Sequence, residues 1–412
     1  MLFKRSFFLL ACTAATTSAF APPATNNNVM QTMRFSTETQ AEATSQKEAE
    51  AELSPEYSAA FQKAEATVSA VLKDTKPEML PGLVHFCKEY LTAHQVSNAK
   101  NKDEKSSPEQ ALNRILEGVQ YGFKFGMGPE KFAFGVTHEA LRGDAVKEDG
   151  NTIDFYEWGT EFFRGLIDKE DSKIMGMDNL KQALERADKG ENVVFFANHQ
   201  SEADPQVVSI LLERAGLAKD AEKFYYVAGH KVTTDPLAIP FSMGRNLICI
   251  HSKKHIDADP ETKGVKNRQN LSAMGGMLDR LKKGGCILWV APSGGRDRRD
   301  LESGKTPMAP FDSKTLDMFR LMGSKSKKPT HYYPFAMVTY EVCPPPDFVE
   351  AGVGEKRNFR FTPVGINVGE EIPSEGGLEK RQQFNEKCCA SAQEEYIKLR
   401  ESIFPGTAPD LE

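Results

Sequence analysis

Nowhere in this chain is there an apolar run of the about 20 residues that a spanning helix needs, and the mean hydropathy is -0.47. At most peripheral membrane contact is expected. Cysteine is scarce and odd in number, seven in 412 residues, at Cys12, Cys87, Cys249, Cys286, Cys343, Cys388 and Cys389. No spacing among them suggests a disulfide frame or a zinc site. Cys249 and Cys286 sit in apolar runs, where a reduced buried thiol is expected. There is no G-x-S-x-G, so a nucleophilic serine is unsupported. Ser303-Gly304-Lys305-Thr306 ends like a phosphate-binding loop of nucleotide hydrolases, but Arg299 stands where that motif needs glycine.

Acids are missing from the start of the chain: none precedes Glu38. Lys4 and Arg5 lead a short apolar stretch from Phe7 to Ala11, then small residues follow to Ala19. This reads as a signal peptide followed by an acid-poor transit segment. The junction Ser18-Ala19-Phe20-Ala21-Pro22 resembles the bipartite presequence of algae with secondary plastids, so a plastid stroma location is expected. The formal net charge is -6. Without residues 1–37 and their three cations it becomes about -9. No nucleic-acid partner is expected, and a chain this acidic must gather positive charge locally to hold an anion.

Three parts are expected. Residues 1–53 form the presequence and a Glu-, Ala- and Gln-rich linker. Residues 54–128 show helical spacing only, through Phe61, Val68, Val71 and Leu72, then Leu83, Phe86 and Leu91, then Ile115, Val119 and Phe123. That stretch reads as a small helical bundle. Residues 129–412 alternate strands at 193–197, 224–228, 247–250, 287–291 and 332–340 with helices at 207–214, 263–283, 316–322 and 378–403. Two short strands are expected within 359–368. The fold class is α/β, a mixed and mostly parallel sheet covered by helices.

Three loops follow apolar strands, where open α/β sheets bind ligands. In Asn198-His199-Gln200-Ser201-Glu202-Ala203-Asp204-Pro205, His199 is a candidate general base. Asp204 can fix its tautomer if the intervening residues turn back. Asp204 before Pro205 also reads as a helix N-cap. Ser252-Lys253-Lys254-His255 is either a solvated charge cluster or an anion clamp. In Pro292-Ser293-Gly294-Gly295-Arg296-Asp297-Arg298, Arg296 and Arg298 suit phosphate oxygens, or else pair with neighbouring acids on a surface turn.

These blocks, with Val227-Ala228-Gly229, Asp235-Pro236-Leu237, the run Pro240 to Cys249 and Pro344-Pro345-Pro346, resemble the plastidial, soluble glycerol-3-phosphate acyltransferases. His230-Lys231 stands where the family's plant members carry Asp-Arg. The resemblance implies transfer of an acyl group from acyl carrier protein or acyl-CoA to the sn-1 hydroxyl of glycerol 3-phosphate, with no cofactor and no metal. It implies His199 and Asp204 as catalytic residues and Lys254, His255, Arg296 and Arg298 as phosphate-holding ones. A lysophosphatidate-type acyltransferase and a non-catalytic phosphate- or carrier-binding relative are the alternatives. Lys263, Lys266, Arg268, Arg280, Lys282 and Lys283 are candidates for docking an acidic carrier, or an ordinary solvated helix face.

Overall fold

In the computed structural model, the strand at Asn192–Ala197 (β5) is buried at every residue, with Val193, Phe195 and Ala197 facing one core and Val194 and Phe196 the other. A strand with two buried faces must be covered on both, and that requirement organises the molecule. The described residues are 52–409, except 73–76, 102–105, 129–130, 144–146, 149–150, 253–255, 258–259, 347–355 and 375–377. The expected presequence of residues 1–53 lies almost wholly outside them. All belong to one compact unit, Glu48–Glu412.

Eight strands build the main sheet: β1 (Thr137–His138), β4 (Lys173–Met175), β5, β6 (Phe224–Gly229), β7 (Asn246–Ile250), β8 (Ile287–Val290), β9 (Thr330–Val338) and β10 (Gly365–Val368). A short separate hairpin pairs β2 (Lys147–Glu148) with β3 (Asn151–Thr152). The order is β1-β7-β6-β8-β5-β9-β10-β4. From β7 through β9 every pairing is parallel; β1 and β10 join their neighbours antiparallel, and β10 pairs β4 in parallel. The expected mixed, mostly parallel sheet is therefore found. Its consequence is that the carboxyl ends of β7, β6, β8, β5 and β9 share one rim.

Helices α1 (Pro55–Leu72), α2 (Leu80–Lys100), α3 (Pro108–Tyr121), α4 (Phe155–Arg164), α5 (Met177–Asp188) and α6 (Asp204–Arg214) cover one face. Short turns α7 (Ala218–Ala221) and α8 (Ile239–Met243) follow. Helices α9 (Pro260–Lys283), α10 (Ser313–Ser326) and α11 (Leu378–Ile403) cover the other. The N-terminal helices share the first core with the sheet. Phe86 meets Phe359 edge-on at 4.9 Å, and the Tyr90 hydroxyl donates to the Phe162 carbonyl at 2.8 Å.

Two expectations about elements change. Within 359–368 there is one strand, not two: Pro363 has no N–H to donate, and Thr362 makes only an isolated bridge to Ile167. Asp204 is not an N-cap. It is the first residue of α6, and its carboxylate turns back toward the loop before it.

Candidate active site

The site begins where β5 ends. Asn198 continues the sheet with its side chain: Nδ2 donates to the Met337 carbonyl at 3.0 Å, and Oδ1 accepts from the Met337 N–H at 2.7 Å. The chain then turns through 199–203 and enters α6. Asp204, fully buried, closes this turn. Its Oδ2 accepts from His199 Nδ1 at 2.7 Å and from the Gln200 N–H at 3.0 Å. Its Oδ1 accepts from the Ser201 N–H at 3.1 Å and the Thr339 hydroxyl at 2.5 Å. All four partners donate, so this is a nest for a carboxylate. The five-residue spacing works because the loop's own amides fold onto the acid.

A carboxylate accepts, so the proton on the His199 ring sits on Nδ1, and Nε2 is left with a lone pair. The ring packs edge-on against Trp289, centroids 5.8 Å apart, and 28% of the side chain is exposed. An imidazole that is oriented on one nitrogen and reachable on the other can accept a proton from a bound hydroxyl.

The loop after β8 lies against this turn, the Asp297 N–H donating to the His199 carbonyl at 2.5 Å. Gly294 takes φ +71°, which L side chains rarely adopt, and the space a Cβ would occupy at Gly294 and Gly295 is open. Arg296 Nη1 lies 3.5 Å from Glu202 Oε1, and Arg298 Nη1 donates to the Pro346 carbonyl at 2.5 Å. The structure thus brings His199, Asp204, Arg296 and Arg298 to the shared rim. Lys254 and His255 lie outside the described residues.

Other charged residues at this rim carried no role in the sequence. Glu202 meets Arg357 Nε at 2.7 Å, and Arg357 Nη2 meets Asp235 at 2.9 Å. Burial would push the Glu202 carboxyl up, but the Arg357 and Arg296 guanidiniums outweigh it and hold it at about 2. Asp297, fully buried, is pushed up to about 6 by burial, against the Ala309 N–H and the Asn198 amide. Gln200 Nε2 donates to the Tyr396 hydroxyl of α11 at 3.0 Å, so the last helix reaches the His199–Asp204 turn. Gln200, Glu202 and Asp235 stand inside those sequence blocks, but Asp297, Tyr396, Arg296 and Arg357, which meet them, come from distant parts of the chain. Arg357 had no local signal at all.

Along α9, Lys263 pairs with Asp257 at 2.8 Å, Lys282 with Asp279 at 3.2 Å, and Arg280 with Glu139. The basic face is thus partly neutralised by its own neighbours. Among the described residues no group of three or more His, Cys, Asp or Glu side chains could hold a metal ion, and no helix is long and apolar enough to cross a membrane.

A family model described as Acyltransferase matches residues 172–338, which takes in the His199 turn and the Arg296–Arg298 loop. The glycerol-3-phosphate acyltransferase, chloroplastic, of Arabidopsis thaliana is 34% identical over 82% of this chain and 72% of its own length. That of Spinacia oleracea is 35% identical over 75% of this chain, and the match spans 63% of the spinach protein, less than two thirds. That of Pisum sativum is 41% identical over 59% of this chain and 51% of its own length. Among solved structures, the 1-acyl-sn-glycerophosphate (LPA) acyltransferase of Thermotoga maritima is 16% identical over 58% of this chain and 77% of that one, with a TM-score of 0.33. That likeness is too slight to bear on the reaction.

Proposed function

We propose a function from one premise: this chain belongs to the family of chloroplastic glycerol-3-phosphate acyltransferases. It acts in the plastid stroma and moves a fatty acyl group from a thioester, on acyl carrier protein or coenzyme A, to the sn-1 hydroxyl of glycerol 3-phosphate. The hydroxyl oxygen bonds to the thioester carbonyl carbon and the carbon–sulfur bond breaks. His199 Nε2 takes the hydroxyl proton and delivers it to the leaving sulfur. Asp204 holds the ring and stabilises its charged form. The acceptor hydroxyl attacks directly, so no acyl-enzyme is needed. Arg296 and Arg298 hold the phosphate and so place the hydroxyl; Lys254 and His255 join them on the strength of the resemblance alone.

The observation that carries this reading is the His199–Asp204 bond of 2.7 Å on the rim that also receives Arg296. The test supplies the full chain with radiolabelled glycerol 3-phosphate and a palmitoyl thioester of either donor. Labelled 1-acyl-glycerol 3-phosphate is expected, with glycerol a very poor acceptor. Transfer to lysophosphatidate but not to glycerol 3-phosphate would overturn it.

A further inference from the structure

One buried acid takes no part in the steps above. Asp297 stands between Arg296 and Arg298 in sequence, and burial alternates with it: the two arginines are partly exposed, and the aspartate is fully buried. Its Oδ2 accepts from Asn198 Nδ2 at 3.0 Å and from Gln200 Nε2 at 3.4 Å. Its Oδ1 accepts from the Ala309 N–H at 2.9 Å, and its own N–H donates to the His199 carbonyl at 2.5 Å. Asn198 and Gln200 flank His199, and each is held again from beyond. Asn198 is pinned to β9 at Met337, and Gln200 Oε1 accepts from the N–H groups of Thr339 at 2.9 Å and Tyr340 at 3.1 Å. Asp297 therefore joins the loop that carries the base to the loop that carries the guanidiniums, and both to β9.

We propose that Asp297 is a positioning residue that sets the separation between the His199 base and the phosphate-holding arginines by locking residues 198–200 to residues 296–298. It touches no reacting atom. The reaction, on the acyl-transfer reading this inference rests on, fixes its acceptor at two points: phosphate at one end and hydroxyl at the other. A loosened distance between those points spoils both binding and alignment, and a displacement of about 1 Å costs on the order of a hundredfold in rate. The ionised carboxylate suits this task because three donors converge on it. An amide in its place would turn an NH2 group toward at least one of those donors and lose that bond.

The test is Asp297→Asn, assayed at saturating donor. The expected result is a glycerol 3-phosphate KM raised about tenfold and a kcat lowered about tenfold to a hundredfold, with donor KM within about twofold of wild type. A residue that merely supports folding predicts fewer active molecules: kcat falls with the loss of folded protein, and both KM values stay put. That pattern, with kcat recovering when normalised to the folded fraction by near-UV circular dichroism, would overturn the proposal. Should Asp297→Asn fail to fold, Asn198→Ser keeps the acid and removes one of its donors together with the two bonds to Met337. It should show the same split in KM and kcat at smaller size, and unchanged acceptor KM there would equally overturn it. Wild-type transfer in the same assay separates this failure from failure of the acyl-transfer reading.

Discussion

Asp204 and Glu202 lie two residues apart on one loop, and their surroundings differ in kind. Asp204 is fully buried and takes four donors, of which two are backbone amides, one a hydroxyl and one the imidazole. Glu202 keeps 29% of its side chain exposed and meets two guanidiniums. The first is a fixed cradle whose parts are local in sequence apart from Thr339. The second is an ion-pair patch assembled from Arg296 and Arg357, reaching on to Asp235. Fixed dipoles hold a group in one orientation, which a proton-transfer pair requires. Long charged side chains hold less rigidly and can exchange partners with an incoming anion. On the proposed reaction, the two halves of the loop are thus suited to different tasks: orientation of the base, and reception of the phosphate.

The sharpest way to break that comparison is at the base. His199→Ala should lower turnover roughly 10²–10⁴-fold, with the thermal midpoint of unfolding nearly unchanged, because the ring is partly exposed and supports little of the core. Near-normal turnover in this variant would remove the cradle's assigned task. Next in size is the phosphate side. Arg296→Ala should raise acceptor KM roughly tenfold to a hundredfold, from the loss of charge-assisted bonds worth about 1.5–3 kcal/mol, while donor KM holds. Arg296→Lys should restore only part of this, since an ammonium lacks the planar fork. If Arg296 serves only to pair with Glu202, acceptor KM in Arg296→Ala will stay where it is.

Much of this arrangement was legible in the sequence, and the limits have physical causes. The buried strands were visible as short apolar runs: 193–197, 224–228, 247–250 and 287–291 each fall on an observed strand to within a residue or so at either end. The C-terminal helix was found with its bounds, Leu378–Ile403. The His199–Asp204 turn was readable because Asp204 and most of its donors lie within a few residues of His199. Helix α4 is absent from the expected elements although Asp154 caps it, accepting from the Glu157 N–H at 2.8 Å. Strand β4 has three residues and no period to detect. What no local pattern could give was closure across the sheet. Asn198 with Met337, Gln200 with Tyr396 and Glu202 with Arg357 meet only because five parallel strands end at one rim. Asp-Pro at a helix start suits an N-cap, but three donors in the loop and the Thr339 hydroxyl outcompete a single cap bond.

The smallest expected effect separates two acids, Glu202 and Asp297, by the sign of their pH dependence. Glu202 is held at about 2 in the folded protein, below its ordinary 4.5. Its contribution to stability is therefore complete above about pH 4.5 and is lost as pH falls toward 2. Asp297 is pushed the other way, from 3.8 to about 6, so its contribution is complete below about pH 4 and is lost as pH rises through 6. Glu202→Gln should destabilise by roughly 1–2 kcal/mol at about pH 7, a modest figure because the group is partly solvated and Arg357 keeps Asp235. The gap to wild type should narrow as pH falls from about 5 to about 3. At low pH the protonated Asp297 carries a donor among its three donor partners, as the amide does, so the two proteins differ little there; wild type must bury a charge once Asp297 ionises. Wild type should therefore lose stability relative to Asp297→Asn as pH rises from about 4 to about 7, the opposite direction to Glu202. Urea unfolding followed by tryptophan fluorescence across that range gives both slopes in one experiment. Two slopes of the same sign would mean that the fold does not hold the charge of Glu202 and of Asp297 in opposite ways, and the contrast between an ion-paired carboxylate and a buried one would fall with it.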